Sequence, residues 1–161
     1  MNTEKSKKIY LYLAAIFIAA LVVCNLIANK FITIDLGFKT FVISAGVLPY
    51  PITFLITDIL SEIYGKKKTA HIVWVGFWAS LFVLGVLLLA QQFTAIEGSP
   101  VNDETFNKVF GNSWRVIFAS MTAYLCAQLI DVRIFHFLKK ITNQKKLWLR
   151  NNLSTIFSQL I

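Results

Sequence analysis

The sequence predicts an all-α protein built as a polytopic bundle of transmembrane helices, and three observations carry this prediction. Of the 161 residues, 57% are hydrophobic and only 15% are charged, which is more apolar surface than a soluble domain of this size can bury. Residues 9–27 and 72–90 each form a run of 19 residues without a formal charge. Each run can cross a hydrocarbon core of ~30 Å at ~1.5 Å per residue. The lysines cluster at the ends of such apolar runs.

Residues 1–161 are expected to form a single transmembrane domain with four complete spans and part of a fifth. Pro49 and Pro51 interrupt the second span, because proline lacks a backbone donor and restricts the residue before it. The last span reaches Ile161 without a stop signal, and a helix that ends inside lipid leaves carbonyls unpaired. We therefore expect the chain to be truncated within this span. The predicted spans are 9–28, 41–64, 71–93, 114–138 and the incomplete 147–161.

The basic residues predict the orientation of the bundle. Ten lysines fall on one side and four basic residues on the other, which places the N-terminus in the cytoplasm. The same distribution argues against a nucleic-acid surface, because the charges mark the ends of spans. The first group is Lys5, Lys7, Lys8, Lys66, Lys67, Lys68, Lys139, Lys140, Lys145 and Lys146, and the second is Lys30, Lys39, Lys108 and Arg115.

Charged and amide side chains of three spans are predicted to share one layer of the inner half-membrane. Asp58 precedes Lys66, and Asp131 precedes Lys139, by eight residues each, which puts both ~12 Å inside the membrane edge. Charges at such depth usually mark function. Glu62 and Arg133 are shallower, and Gln128, Arg150, Asn151 and Asn152 complete the layer.

The predicted layer contains three carboxylates and two cations. The one unpaired carboxylate could hold a proton or a cationic ligand. Tyr50 and Phe54 lie beside the proline break and could stack on a planar ligand. Structural interpretations stay open. Glu62 could simply pair with nearby lysines at the interface, and Asp131 and Arg133 could pair with each other or with Arg150 as a static clamp.

No catalytic arrangement stands out, so we expect no catalytic residues, no metal and no cofactor, and a protein that is not an enzyme. Neither a zinc-protease motif nor a serine-hydrolase elbow nor a phosphate loop occurs. Cys24 and Cys126 read as small core residues. Trp74, Trp78 and Trp148 are most simply interpreted as membrane-belt or packing residues.

Three segments resemble the bacterial queuosine precursor transporter family, which is also described as vitamin-uptake-like. They are SAGVLPYPITFLITDILSEIYGKKKT at 44–69, AQLIDVRIFHFLKK at 127–140 and LWLRNNLSTIFSQLI at 147–161. The combination of T-D-x-x-x-E-x-Y-G with R-N-N-x-S-T-x-x-S-Q is more specific than hydropathy alone. The resemblance implies six transmembrane helices and uptake of 7-deazaguanines, such as preQ0, preQ1 or queuine, across the inner membrane for tRNA modification.

A deazaguanine suits the polar layer, because a carboxylate can accept two N–H donors from its pairing edge. Asp58, Glu62 or Asp131 could take the donor edge, and Asn151, Asn152 or Gln128 could read the acceptors. The expected partners are this small molecule and the lipid bilayer, with no nucleic acid. A homo-oligomer and an energy-coupling ATPase stay open.

Two other functions stay open as well. The chain could be the substrate-binding subunit of an energy-coupling vitamin importer. It could also be a non-transport membrane protein whose polar layer is only structural.

Overall fold

The computed structural model describes residues 3–111, 114–142 and 147–159. Its described part contains six α-helices, one β-hairpin and a short 3₁₀ turn at Ala45–Val47. The helices and strands are α1 (Thr3–Leu26), β1 (Phe31–Asp35), β2 (Thr40–Ser44), α2 (Tyr50–Tyr64), α3 (Lys66–Ala90), α4 (Asp103–Phe110), α5 (Trp114–Ile141) and α6 (Leu147–Gln159).

The described chain confirms a helical membrane protein. Three segments within it are long and apolar enough to cross a bilayer: Glu4–Leu26, Ala45–Tyr64 and Lys66–Ala90. The 28-residue helix α5 packs along α2 and α3, and α6 packs along α5 and touches α2. The bundle therefore has α2 and α5 at its centre, each in contact with α3 and α6.

The start of the second span differs from the prediction. Residues 41–44 belong to strand β2, which pairs antiparallel with β1 from Phe31 opposite Ser44 to Asp35 opposite Thr40. The segments FITID and TFVIS are rich in β-branched and aromatic residues, which favour strands. Pro49 caps α2 and Pro51 lies in its first turn, where a missing backbone donor costs nothing. The prolines thus begin the helix after the 3₁₀ turn, and the predicted helical start at residue 41 is wrong.

Other boundaries moved as well. Helix α3 begins at Lys66 rather than at residue 71, because Gly65 alone, with a φ of +83°, separates it from α2. Helix α4 was not predicted; Asn102 caps it by accepting a hydrogen bond of 2.8 Å from the Thr105 amide. Lys145, Lys146 and the last two residues of the predicted fifth span lie outside the described residues.

The apolar core lies where α1, α2, α3 and α5 meet. Phe17 and Leu21 of α1 pack there with Leu60 of α2 and Val73 of α3. Helices α1 and α3 approach closely at Gly76, where a Cβ atom would stand 2.8 Å from the Phe17 ring. This core fixes α2 and α5, and it leaves the polar faces of both helices turned toward α6.

Candidate functional site

Buried polar side chains of α2, α5 and α6 meet in one region of the bundle. A charged or amide group buried in a membrane span is costly and must be paired or serve a function. The buried members are Thr53, Thr57, Asp58 and Ser61 of α2, Gln128 and Asp131 of α5, and Arg150, Ser154 and Ser158 of α6.

Gln128 connects α5 to α2. Its Nε2 atom donates to the Thr53 hydroxyl at 3.1 Å, and its Oε1 atom accepts from the Thr57 hydroxyl at 3.3 Å. Both polar atoms of this amide are therefore used inside the protein. The amide predicted to read a ligand is instead an interhelical hydrogen-bonding group.

Asp58 and Asp131 face each other across the α2–α5 interface, close enough to interact directly. They are only 4% and 0% exposed. Asp131 accepts a hydrogen bond from Ser158 at 3.5 Å. Among the described residues, neither oxygen of Asp58 has a hydrogen-bond partner, and no lysine or arginine forms an ion pair with it. Asp58 is thus a buried carboxyl group that lies beside Asp131 and forms no other hydrogen bond within the described chain.

Glu62 is neutralised by two cations. Its Oε2 atom lies 2.9 Å from the Lys139 ammonium and 3.0 Å from Nη1 of Arg150. The Arg150 guanidinium also lies 5.3 Å from the centroid of the Phe135 ring. Arg133, predicted to balance the layer, is exposed, because it falls on the opposite face of α5. Lys139 takes its place, so the layer again holds three carboxylates and two cations, and both cations contact Glu62.

A cavity of about 270 Å³ opens between α2 and α6 on the side of Asp58. Its lining consists of Leu55, Asp58, Ile59, Glu62, Trp148 and Asn151. Small-molecule sites start at roughly 300 Å³, so the cavity suits a compact ligand. The Asn151 Oδ1 atom is buried and has no partner among the described residues. The cavity thus combines carboxylates, one free amide oxygen and an indole ring.

A second cavity, of about 400 Å³, lies farther along α2 and α6. Val47, Tyr50, Ser120, Ala123, Tyr124, Ala127 and Ser158 line it. Tyr50 precedes Asp58 by eight residues, and Ser158 follows Asn151 by seven, so this cavity is ~10–12 Å from the first along the helix axes. The contacts of Gln128 with Thr53 and Thr57 lie between the two cavities in depth, because both threonines fall between Tyr50 and Asp58 in α2.

The predicted ligand residues therefore separate into distinct groups. Asp58, Glu62 and Asn151 share the α2–α6 cavity, and Tyr50 lines the second cavity. The other predicted residues are engaged within the protein: Phe54 is buried against Tyr50 with ring centroids 5.2 Å apart, Asn152 donates to the Trp148 carbonyl at 2.8 Å, and Gln128, Asp131 and Arg150 are buried between helices.

Trp148 was missed as a site residue. Interpreted from sequence as a belt or packing residue, it lines the α2–α6 cavity and remains 76% exposed. The sequence spacing could have identified it, because Trp148 lies three residues before Asn151 and residues at this spacing share a helix face.

The described chain is a helical bundle whose buried charged side chains border cavities between its helices, an arrangement typical of membrane transport proteins. Residues 44–161 match the family model described as "Putative vitamin uptake transporter", and the chain belongs to that family. The resemblance found in the sequence is confirmed.

Curated relatives carry a more specific name. The chain is 31% identical over 116 residues to a "Probable queuosine precursor transporter" of Bacillus subtilis, covering 71% of this chain and 50% of that protein. It is 30% identical over 118 residues to a protein of the same name from Haemophilus influenzae, covering 71% of this chain and 46% of that protein. The chain therefore spans about half the length of these relatives. No solved structure matches it.

Proposed function

We propose that the protein is a carrier that takes up 7-deazaguanine precursors of queuosine, and that the α2–α6 cavity is where the precursor binds. The observation that carries the proposal is the set of groups around this cavity, namely Asp58, Glu62, Asn151 and Trp148. The printed names of the curated relatives supply the substrate class.

Asp58 is the residue best suited to the donor edge of a deazaguanine. That edge presents two adjacent N–H groups, and a carboxylate can accept both at once. Both Asp58 oxygens lack a partner within the described chain, so the ligand would satisfy them. Glu62 is less available, because Lys139 and Arg150 already share its Oε2 atom.

Trp148 and Asn151 complete the proposed site. The exposed indole offers a flat face for the bicyclic base. Asn151 is an amide that can rotate to donate or accept, so it can meet the carbonyl edge of the ligand. A precursor with an aminomethyl cation would also be attracted by the Asp58 carboxylate, which forms no ion pair with a lysine or arginine among the described residues.

The second cavity provides a path to the first. A carrier that alternates access must open its site to each side in turn. The Tyr50 cavity and the Asp58 cavity follow one another along α2, and buried polar contacts separate them in depth. Small movements of α6 against α2 would connect them, because among the described elements α6 packs chiefly on α5.

The proposed location is the bacterial inner membrane with the N-terminus in the cytoplasm. The lysine distribution supports this orientation. An energy-coupling ATPase stays open as a partner, and co-purification of an ATPase pair with the protein would favour the importer-subunit alternative.

Uptake in cells that cannot synthesise the precursor tests the proposal, with queuosine in tRNA as the readout. The gene should restore queuosine when precursor is supplied. Asp58→Asn should abolish most of this uptake, because an amide cannot accept two N–H groups as a carboxylate does. Asp35→Asn is the matched control, because Asp35 is exposed in the hairpin and does not line the cavity.

Failure of the wild-type gene to restore queuosine would contradict the transport assignment. Full uptake by Asp58→Asn at normal expression would leave transport standing and would contradict the proposed site.

A further inference from the structure

A third cavity lies at the lysine-rich end of the bundle, between the first turns of α1 and the junction of α2 with α3. Its volume is about 250 Å³, and its lining is Ser6, Lys7, Tyr10, Leu11, Tyr64 and Lys68. None of these residues lines the two cavities described above. The proposed transport mechanism makes no use of this cavity.

Two tyrosines form its fixed wall. The rings of Tyr10 and Tyr64 meet edge to face with centroids 5.1 Å apart. The Tyr64 hydroxyl donates to the Ser6 carbonyl at 2.7 Å, and the Tyr10 hydroxyl donates to the Lys68 carbonyl at 3.4 Å. Because both hydroxyls are bound to backbone, the rings hold α1 against the α2–α3 junction and keep the cavity open.

The charges of the cavity are unbalanced. Lys7 and Lys68 line it, no acidic residue does, and among the described residues neither lysine forms an ion pair with a carboxylate. The Lys68 ammonium lies 5.7 Å from the centroid of the Tyr64 ring instead. Two ammonium groups beside an aromatic wall make a site for an anion.

The position of the cavity indicates which anion. Tyr10 and Leu11 lie near the start of the uncharged run 9–27, so the cavity is at the boundary between the hydrocarbon core and the headgroups. Tyrosines are enriched at this boundary, and basic pockets between helix ends bind anionic lipid headgroups. Leu11 is exposed beside the lysines and provides an apolar surface for an acyl chain, which a free anion would not need.

We propose that this cavity binds the phosphodiester headgroup of an anionic phospholipid, with Lys7 and Lys68 on the phosphate and Tyr10, Tyr64 and Leu11 along the glycerol and the first methylenes. The bound lipid would bridge α1 and α3, which are joined at this end by the hydrogen bond from the Tyr10 hydroxyl to the Lys68 carbonyl.

Native mass spectrometry of the detergent-purified protein with phosphatidylglycerol or phosphatidylcholine tests this inference. We expect wild-type protein to retain phosphatidylglycerol in preference to phosphatidylcholine. Lys7→Gln with Lys68→Gln should weaken retention of phosphatidylglycerol by on the order of tenfold to thirtyfold, because each lysine at an anionic surface contributes a factor of ~5.

The matched control is Lys5→Gln with Lys67→Gln, which removes the same charge from neighbouring positions that do not line the cavity. The control should bind phosphatidylglycerol like wild type. Equal losses in both double variants, or equal retention of phosphatidylcholine by wild-type protein, would overturn the inference. Displacement of the lipid by millimolar inorganic phosphate would also overturn it, because the site would then recognise a free anion. Thermal unfolding in detergent verifies that both variants are folded.

Discussion

Gln128→Met separates a structural role of this amide from a role in binding the precursor. Methionine has a similar length and no hydrogen-bonding group of comparable strength, so the substitution removes the contacts of Gln128 with Thr53 and Thr57 and keeps most of the packing. The Gln128 side chain is 0% exposed, so its amide is placed to form these two contacts within the protein.

The expected cost in stability is small. Interhelical hydrogen bonds in membranes contribute ~0.6 kcal/mol each, so losing two costs about 1 kcal/mol. Neither threonine is left with an unsatisfied donor. The Thr53 hydroxyl donates to the Tyr50 carbonyl at 2.7 Å, and the Thr57 hydroxyl reaches the Phe54 carbonyl at 2.9 Å within the same helix.

Two assays on the purified protein measure the outcome. Thermal unfolding in detergent should show a modest decrease in midpoint. The dissociation constant for a 7-deazaguanine should change less than threefold, because Gln128 does not line the α2–α6 cavity. Thr57→Val and the double variant with Gln128→Met complete a double-mutant cycle, which isolates the interaction energy between Gln128 and Thr57. A tenfold weakening of precursor binding at unchanged stability would refute the structural role of Gln128 and would indicate that Gln128 contacts the precursor.

Three further substitutions test other parts of the structure. Gly46→Ala would place a Cβ atom 2.5 Å from the Cys24 carbonyl oxygen, so the unfolding midpoint should fall by an amount equivalent to ~1–3 kcal/mol; an unchanged midpoint contradicts this packing. Glu62→Gln removes the carboxylate that pairs with Arg150 and should lower the free energy of unfolding by about 2 kcal/mol. This is less than the ~3–5 kcal/mol lost when a fully buried ion pair is broken, because Glu62 is 30% exposed. An increase in stability would refute the ion-pair account. Trp148→Ala should weaken precursor binding roughly fivefold or more, since base stacking contributes ~1–3 kcal/mol, and Trp148→Phe should retain most of it; equal binding by both variants and wild type excludes stacking.

The helices of the bundle, and the burial of Asp58 and Asp131 within it, could be predicted from the sequence. Long uncharged runs have one stable form in a bilayer, and the rise per residue converts a position such as Asp58 or Asp131 into a depth. Both residues are buried at the α2–α5 interface, as expected of two groups in one layer. Their depth in the bilayer stays a prediction.

The direction in which each side chain points could not be predicted in the same way. Arg133 and Asp131 are two residues apart and share a depth, yet one is exposed and the other buried, because helical neighbours face different sides. Gln128 illustrates the same limit, since its partners lie on another helix. The hairpin at residues 31–44 was not predicted, because its strands are as apolar as a membrane span.

The dissociation constant of a 7-deazaguanine for Asp58→Asn protein tests the central claim most directly. The account predicts a weakening of about tenfold to a hundredfold, because hydrogen bonds to a charged group contribute ~1.5–3 kcal/mol. It also predicts unchanged or higher thermal stability, because Asp58 accepts no hydrogen bond within the described chain. Asp58→Asn protein that binds the precursor as tightly as wild type would contradict the account.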